Sequence, residues 1–254
     1  MGGILLADRI RSLGAAHWLG FFGAVLIAWA LMFWMAAPAE LRVLEGLYGA
    51  AFIETLCGGA YGASSFLPSF AMWTLMSAAM MAPTALPALA TYDDLSHVAS
   101  TGFGRLLGGY LAVWIGFSAL AALAQVILFR FGLIGSLGQS LSLPLTMALL
   151  IGAGVYQFSA LKEACLSRCR APLTFFMQHW DEGPFRNGIR LGTDCLGCCW
   201  ALMLLGFVGG TMNLVFMGLA MVLMMLEKLP EIGRHLTKPT GLALIAAGLA
   251  LPLF

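Results

Sequence analysis

The sequence contains few charged residues, and this scarcity excludes most classes of soluble protein. Asp, Glu, Lys and Arg make up 10% of the 254 residues, whereas hydrophobic residues make up 61%, and the mean hydropathy is +0.91. Soluble globular domains usually carry charge at about 25% of positions. The composition is therefore that of an integral membrane protein. No basic patch is dense enough to indicate a nucleic-acid partner.

Several catalytic motifs are also missing. The chain has no Walker motif, no GxGxxG that opens a helix after a strand, no HExxH and no nucleophile elbow. These motifs supply phosphate cradles, dinucleotide sites, zinc-protease sites and activated serines. We therefore expect this chain neither to hydrolyse ATP nor to act as one of these enzymes. A binding or transport protein is the favoured class.

Long apolar runs are abundant, and a membrane span needs about 20 mostly apolar residues. The predicted spans are Trp18–Ala37, Leu67–Ala90, Leu106–Phe129, Leu143–Leu161, Leu191–Val208, Met212–Leu226 and, with only 15 residues, Thr240–Phe254. The segment Pro38–Phe66 is predicted to form an amphipathic surface helix. The fold class is therefore all-α, a polytopic transmembrane bundle of six or seven spans in a single domain over residues 1–254.

The distribution of Lys and Arg predicts the orientation of this bundle. With the N-terminus in the cytoplasm, eleven of these residues fall on the inner face, whereas only Arg42 and Arg130 fall on the outer face. Cytoplasmic loops are where Lys and Arg accumulate. The sequence thus predicts a multi-pass protein of a bacterial inner membrane, with its N-terminus in the cytoplasm and the lipid bilayer as its surroundings.

Methionines recur at helical spacing in the second predicted span. Met72, Met76 and Met80 are four residues apart, so they lie on one face of a helix. Neutral thioethers are soft ligands that suit Cu(I). Methionine also fills gaps in apolar cores, and for these residues alone packing is the simpler interpretation. Met212, the first residue of the methionine-rich predicted span Met212–Leu226, is a further candidate thioether ligand.

Five cysteines form two clusters at helical spacing. Cys165 and Cys169 are four residues apart, and Cys195, Cys198 and Cys199 follow in a second helix. Both clusters are predicted at the cytoplasmic ends of their spans, on either side of one inner loop. Disulfides are rare in a reducing cytoplasm, so such thiols are expected to bind a metal or to be catalytic rather than to crosslink. His179 lies in the loop between the clusters and is a further candidate ligand.

Four sequence blocks resemble a bacterial family of predicted metal-binding integral membrane proteins. The blocks are MWTLMSAAMMAP (72–83), LKEACLSRCRAP (161–172), CLGCCWALM (195–203) and GGTMNLVFM (209–217), followed by Glu227 and Lys228. The resemblance implies a metal-binding role without implying a substrate or mechanism. Separately, Met72 and Met76 are similar to the MxxxM motif of eukaryotic copper transporters.

These features give one preferred hypothesis and two alternatives. The preferred hypothesis is that the protein binds Cu(I), rather than zinc, and moves it from thioethers in the outer half to thiolates at the inner face, where a soluble metallochaperone is a candidate partner. The first alternative is a membrane thiol redox enzyme in which Cys195 and Cys198 form the reactive pair, activated by Arg190 or a helix N-terminus. The second is a structural subunit in which all the sulfur is packing.

Overall fold

The computed structural model describes residues 16–36, 65–95, 102–211 and 213–253, and these residues fold almost entirely into helices. The predicted all-α class is confirmed. The α-helices are α1 (Ala16–Ala36), α2 (Phe66–Thr84), α3 (Leu86–Asp94), α4 (Phe103–Arg130), α5 (Leu143–Tyr156), α6 (Ala160–Arg170), α7 (Pro172–His179), α8 (Pro184–Leu204), α9 (Gly206–Gly209), α10 (Leu214–Lys228) and α11 (Gly233–Ala250). Met212, Cys57 and nearly all of the predicted surface helix lie outside the described residues.

Several helix boundaries follow from short polar side chains and proline. The hydroxyl of Ser159 accepts a hydrogen bond of 3.1 Å from the Lys162 amide at the start of α6, and the Asn213 side chain caps α10 in the same way. Both residues are of the types preferred at helix N-termini. At the other end of α2, Pro83 and Pro87 flank a turn at Ala85, so the predicted span Leu67–Ala90 is divided into α2 and α3.

Helix α4 lies at the centre of the fold and packs against both α2 and α8. Two buried polar contacts join α4 to α2. The Trp73 indole donates a 2.7 Å hydrogen bond to the side-chain oxygen of Gln125, and the hydroxyls of Ser77 and Ser118 lie 3.1 Å apart. Because each polar group is satisfied by the facing helix, these contacts fix the register of α2 on α4.

The contact between α4 and α8 depends on glycine. A Cβ atom placed on Gly188 of α8 would collide with the carbonyl oxygen of Leu106, and one on Gly109 of α4 would collide with that of Phe185. Gly192, one turn further along α8, lies against the Tyr110 carbonyl oxygen, which a Cβ would approach to 3.0 Å. Small residues allow this close approach of backbones. The contact brings α8 and its cysteines directly against α4.

A buried ion pair joins α6 to α10. The Lys162 ammonium lies 2.7 Å from the Glu227 carboxylate, and each side chain is only 1% exposed. The Arg170 guanidinium also donates a 2.9 Å hydrogen bond to the Glu227 carbonyl oxygen. Both charges thus lie inside the protein, where α6 packs against α10.

Four described helical segments are long and apolar enough to cross a membrane. They are His17–Trp34, Phe66–Thr84, Phe103–Arg130 and Pro184–Gly209. The pair α5 and α6 would add a fifth as one broken span, with a bend of 61° between its halves. This count covers only the described residues and is lower than the predicted six or seven. Helix α10, which lies where the sixth span was predicted, has 15 residues.

Candidate metal site

Three thiols meet on one face of α8. The sulfur atoms of Cys195, Cys198 and Cys199 all lie within 4.8 Å of one another, and these residues are at most 2% exposed. The Cys198 and Cys199 sulfurs are 3.2 Å apart, and the Cys198 thiol also donates to the Cys195 carbonyl oxygen at 3.1 Å. We call these three residues the thiol triad. Their helical spacing was predicted, but the triad lies in the middle of α8 rather than at its end.

A lysine from another helix contacts the triad. The Lys228 ammonium, at the end of α10, lies 3.0 Å from the Cys195 sulfur. It also donates to the Thr84 hydroxyl at 2.7 Å and approaches the Thr84 carbonyl oxygen at 3.5 Å. A lysine ammonium has three donors, and these three acceptors match them. The arrangement suits a positively charged lysine beside a Cys195 thiolate.

Tyr110 of α4 completes the surroundings of Cys195. Its hydroxyl lies 3.1 Å from the Cys195 sulfur and 2.8 Å from the Met81 carbonyl oxygen, to which it donates. Cys195 is therefore contacted by residues from α4 and α10 and faces the C-terminal end of α2.

The two cysteines of α6 have different environments. Cys165 is buried against α8, where a Cβ on Gly197 would come within 2.5 Å of its sulfur. Cys169 is half-buried and lines a small cavity together with Cys195 and Lys228. The predicted convergence of the two clusters is thus seen at Cys169, whereas Cys165 packs on the α8 backbone beside the triad.

The predicted methionine face of α2 is buried inside the bundle. Met72, Met76 and Met80 are each almost completely inaccessible, and all belong to the same apolar core as the triad. The next residue in this spacing of four is Thr84, which binds Lys228. The methionine face therefore leads along α2 toward the triad. Met212 is not among the described residues.

His179 lies away from the triad. It ends α7, where its ring nitrogen Nδ1 lies 2.9 Å from the Phe175 carbonyl oxygen, and it lines a separate cavity of about 380 Å³ with Arg168 and Asp194. Arg190, proposed from the sequence to activate the thiols, instead forms a 2.6 Å ion pair with Glu182. The cation that lies beside Cys195 is Lys228.

Three residues of this site were missed by sequence reasoning: Thr84, Tyr110 and Lys228. Thr84 had a usable signal, because it continues the spacing of Met72, Met76 and Met80 by one step. Lys228 had a weaker one, as a charge that directly follows an apolar helix. Tyr110 had none, since its role depends on how α4 rotates toward Cys195.

The donors in this site fit a soft metal ion. Thiolates and thioethers favour Cu(I) and, for thiolates, Zn(II). Among the described residues, the triad is the group of three side chains that could hold a metal ion. Structural zinc usually has four ligands in a tetrahedron, whereas the triad offers three thiols and a neighbouring positive charge. The donor set is therefore that of a site for a soft metal ion.

Comparison with known proteins identifies a family. No curated protein and no solved structure matches the chain. A family model described as "PpoB2: Copper chaperone" matches residues 70–251, which is more than half of the chain. The matched range includes the triad, Cys165, Cys169 and the methionine face of α2, and it supports the predicted copper binding. The chain therefore belongs to the PpoB2 copper chaperone family.

Proposed function

We propose that the protein binds Cu(I) at the thiol triad and delivers it to an acceptor at the cytoplasmic side of a bacterial inner membrane. The observation that carries this proposal is the buried triad in a chain of a copper chaperone family. Three sulfur atoms within 4.8 Å of one another can bind one ion together. Their burial protects bound copper from water and from exchange with small ligands.

The charge of the site supports a bound cation held by thiolates. Two thiolates and one Cu(I) ion carry a net charge of −1, which is costly to bury unless a positive charge lies close by. The Lys228 ammonium, 3.0 Å from the Cys195 sulfur, supplies that charge. The nearby Lys162 and Glu227 already neutralise each other. Lys228 is therefore available to compensate the copper complex.

The methionine face of α2 provides a route toward this site. Its thioethers are neutral, so they bind Cu(I) weakly and keep binding it in an oxidising compartment, whereas thiolates bind it more tightly. Helix α2 rises about 1.5 Å per residue, so the twelve steps from Met72 to Thr84 span about 18 Å. Copper that enters at Met72 would move toward stronger ligands until it reaches the triad.

The orientation of the chain follows from its charges. We place the N-terminus in the cytoplasm, because this choice puts eleven Lys and Arg residues on the inner side. Met72 then lies toward the outer side and Thr84 toward the inner side. A soluble metallochaperone of the cytoplasm is the acceptor that this arrangement favours.

The metal content of the purified protein tests the proposal. The wild type, purified without oxygen, should contain copper by inductively coupled plasma mass spectrometry. A variant with Cys195, Cys198 and Cys199 changed to Ser should lose it. The variant Cys165→Ser is the matched control, since its thiol packs beside the triad, and it should keep its copper.

Other metal contents would contradict the proposal in distinguishable ways. If the purified wild type contained zinc instead of copper, the triad would be a zinc site and the proposed copper binding would be wrong. An absence of metal from the wild type, even after incubation with Cu(I), would favour the thiol redox alternative. Alkylation with and without dithiothreitol would then show whether Cys195 and Cys198 switch between free and protected states.

A further inference from the structure

A small cavity lies on the side of Cys195 that faces α6. Its volume is about 20 Å³, and it is lined by Thr84, Tyr110, Cys169, Cys195 and Lys228 together with apolar residues at the start of α3 and from α8. A cavity of about 10–15 Å³ is enough for one water molecule. This cavity therefore has room for a single small ion, and two of its walls are thiols.

The thiols around Cys195 differ in their exposure. The triad is almost completely buried, whereas Cys169 is half-buried at the surface of α6. Cys169 is thus the thiol that an acceptor protein can approach from outside. It lines the same small cavity as Cys195, so it lies beside the triad. Cys169 connects the buried triad with the surface.

An ion pair holds Cys169 and Cys195 in register. Arg168 and Asp194, each the preceding neighbour of one of these cysteines, form a 2.8 Å contact between α6 and α8. Arg170, on the other side of Cys169, binds the Glu227 carbonyl oxygen and the Thr237 hydroxyl. The end of α6 is therefore fastened to α8 and α10 on both sides of Cys169, and this fixes the position of its thiol.

We infer that Cys169 and Cys195 form a second copper position, from which Cu(I) leaves the protein. This inference rests on the proposed function of the triad. Copper bound by Cys195 and Cys198 forms a new bond to the Cys169 sulfur and loses its bond to Cys198. The proton that leaves the Cys169 thiol passes to the Cys198 thiolate, so no electron is transferred and no proton is gained or lost. Cys195 holds the ion throughout.

The transfer of copper to a chelator tests this second position. The purified protein is loaded with one equivalent of Cu(I) and mixed with bathocuproine disulfonate, and the rate of colour formation is measured. Cys169→Ser should still bind its copper but release it at least about tenfold more slowly, an effect of the size seen when a supporting metal-site residue is removed. Cys165→Ser, on the same helix one turn earlier, should release copper at the wild-type rate.

Three outcomes separate this inference from the proposed function. A wild-type release rate in Cys169→Ser would overturn the second position, while the triad would stand. Equal slowing in Cys169→Ser and Cys165→Ser would also overturn it, because the effect would then belong to α6 as a whole. A wild type that binds no Cu(I) would instead refute the proposed function itself. Far-UV circular dichroism verifies that each variant is folded.

Discussion

At the scale of single residues, the side chain that most shapes this site is Lys228. It is buried, and its ammonium contacts a thiol and two oxygens of Thr84. An isolated charge in such a place would be strongly unfavourable. Its position is understandable if Cys195 carries a negative charge with or without bound metal. Lys228 thus makes the site ready for a cation held by thiolates.

Replacement of Lys228 tests this role. In Lys228→Met, the anionic copper complex loses its buried counter-charge, so the affinity for Cu(I) should fall at least about tenfold. Lys228→Arg keeps the charge and should lose less affinity. The exposed Lys238→Met serves as the matched control and should bind as the wild type does. Competition with a Cu(I) chelator measures the affinities, and an unchanged affinity in Lys228→Met would refute the counter-charge.

At the scale of helices, α2 combines a packing role and a proposed transport role. Its polar residues Trp73 and Ser77 bind partners on α4, whereas Met72, Met76 and Met80 form a separate repeat. Packing alone could be satisfied by leucine at the methionine positions, since leucine has a similar volume. The two roles can therefore be separated by a substitution that keeps volume and removes sulfur.

The substitution Met76→Leu makes this separation. It removes the central thioether of the repeat, so copper accumulation in cells that express the variant should fall to the level of cells without the protein. The amount of folded protein should be unchanged, because Met to Leu exchanges in cores cost less than about 1.5 kcal/mol. Met177→Leu, at an exposed position of α7, is the control. Normal copper accumulation in Met76→Leu would remove the methionine face from the route.

A second prediction at this scale concerns the glycine contact between α4 and α8. Gly188→Ala places a methyl group against the Leu106 carbonyl oxygen, so the helices must separate. Overpacking of this kind costs about 1–3 kcal/mol. Gly108→Ala is the matched control, because a Cβ atom at Gly108 would meet no atom within 4 Å. Thermal unfolding in detergent should show a lower midpoint for Gly188→Ala only; equal midpoints would mean that the contact is looser than described.

At the scale of the whole molecule, the sequence predicted the helical class and the spacing of residues along each helix. It did not predict which residues of different helices come into contact. The all-α class follows from long apolar runs, and the triad follows from cysteine spacing along one helix. The contact of Lys228 with Cys195 joins residues 33 positions apart, and it depends on how α8 and α10 rotate about their own axes. That rotation is set by contacts such as the one at Gly188, which local periodicity does not reveal.

Two breaks within predicted spans were missed for a related reason. A long apolar stretch of sequence shows that the residues are hydrophobic, but it does not show whether the helix is interrupted within the stretch. The predicted span Leu67–Ala90 contains the turn at Ala85, and Leu143–Leu161 contains the bend between α5 and α6. His179 was proposed as a ligand because it lies between the cysteine clusters in the sequence. In the structure α7 carries it to a different cavity.

The proposed orientation makes a prediction about the whole chain. The turn between α4 and α5 should face the outer side, and the start of α8 should face the cytoplasm. A membrane-impermeant maleimide added to intact cells should therefore label Ser136→Cys and not Arg186→Cys, both of which are exposed positions. Labelling of the parent chain gives the background. The reverse pattern would invert the orientation, and labelling of both positions would contradict the span between them.

The central claim is that the thiol triad binds Cu(I), and X-ray absorption at the copper edge tests it most directly. Wild-type protein loaded anaerobically with one equivalent of Cu(I) should show monovalent copper whose nearest neighbours are all sulfur. The variant with Cys195, Cys198 and Cys199 changed to Ser should lose this signal, whereas Cys165→Ser should retain it. Nitrogen or oxygen neighbours in the wild type, or the same all-sulfur signal in the triple variant, would contradict the account.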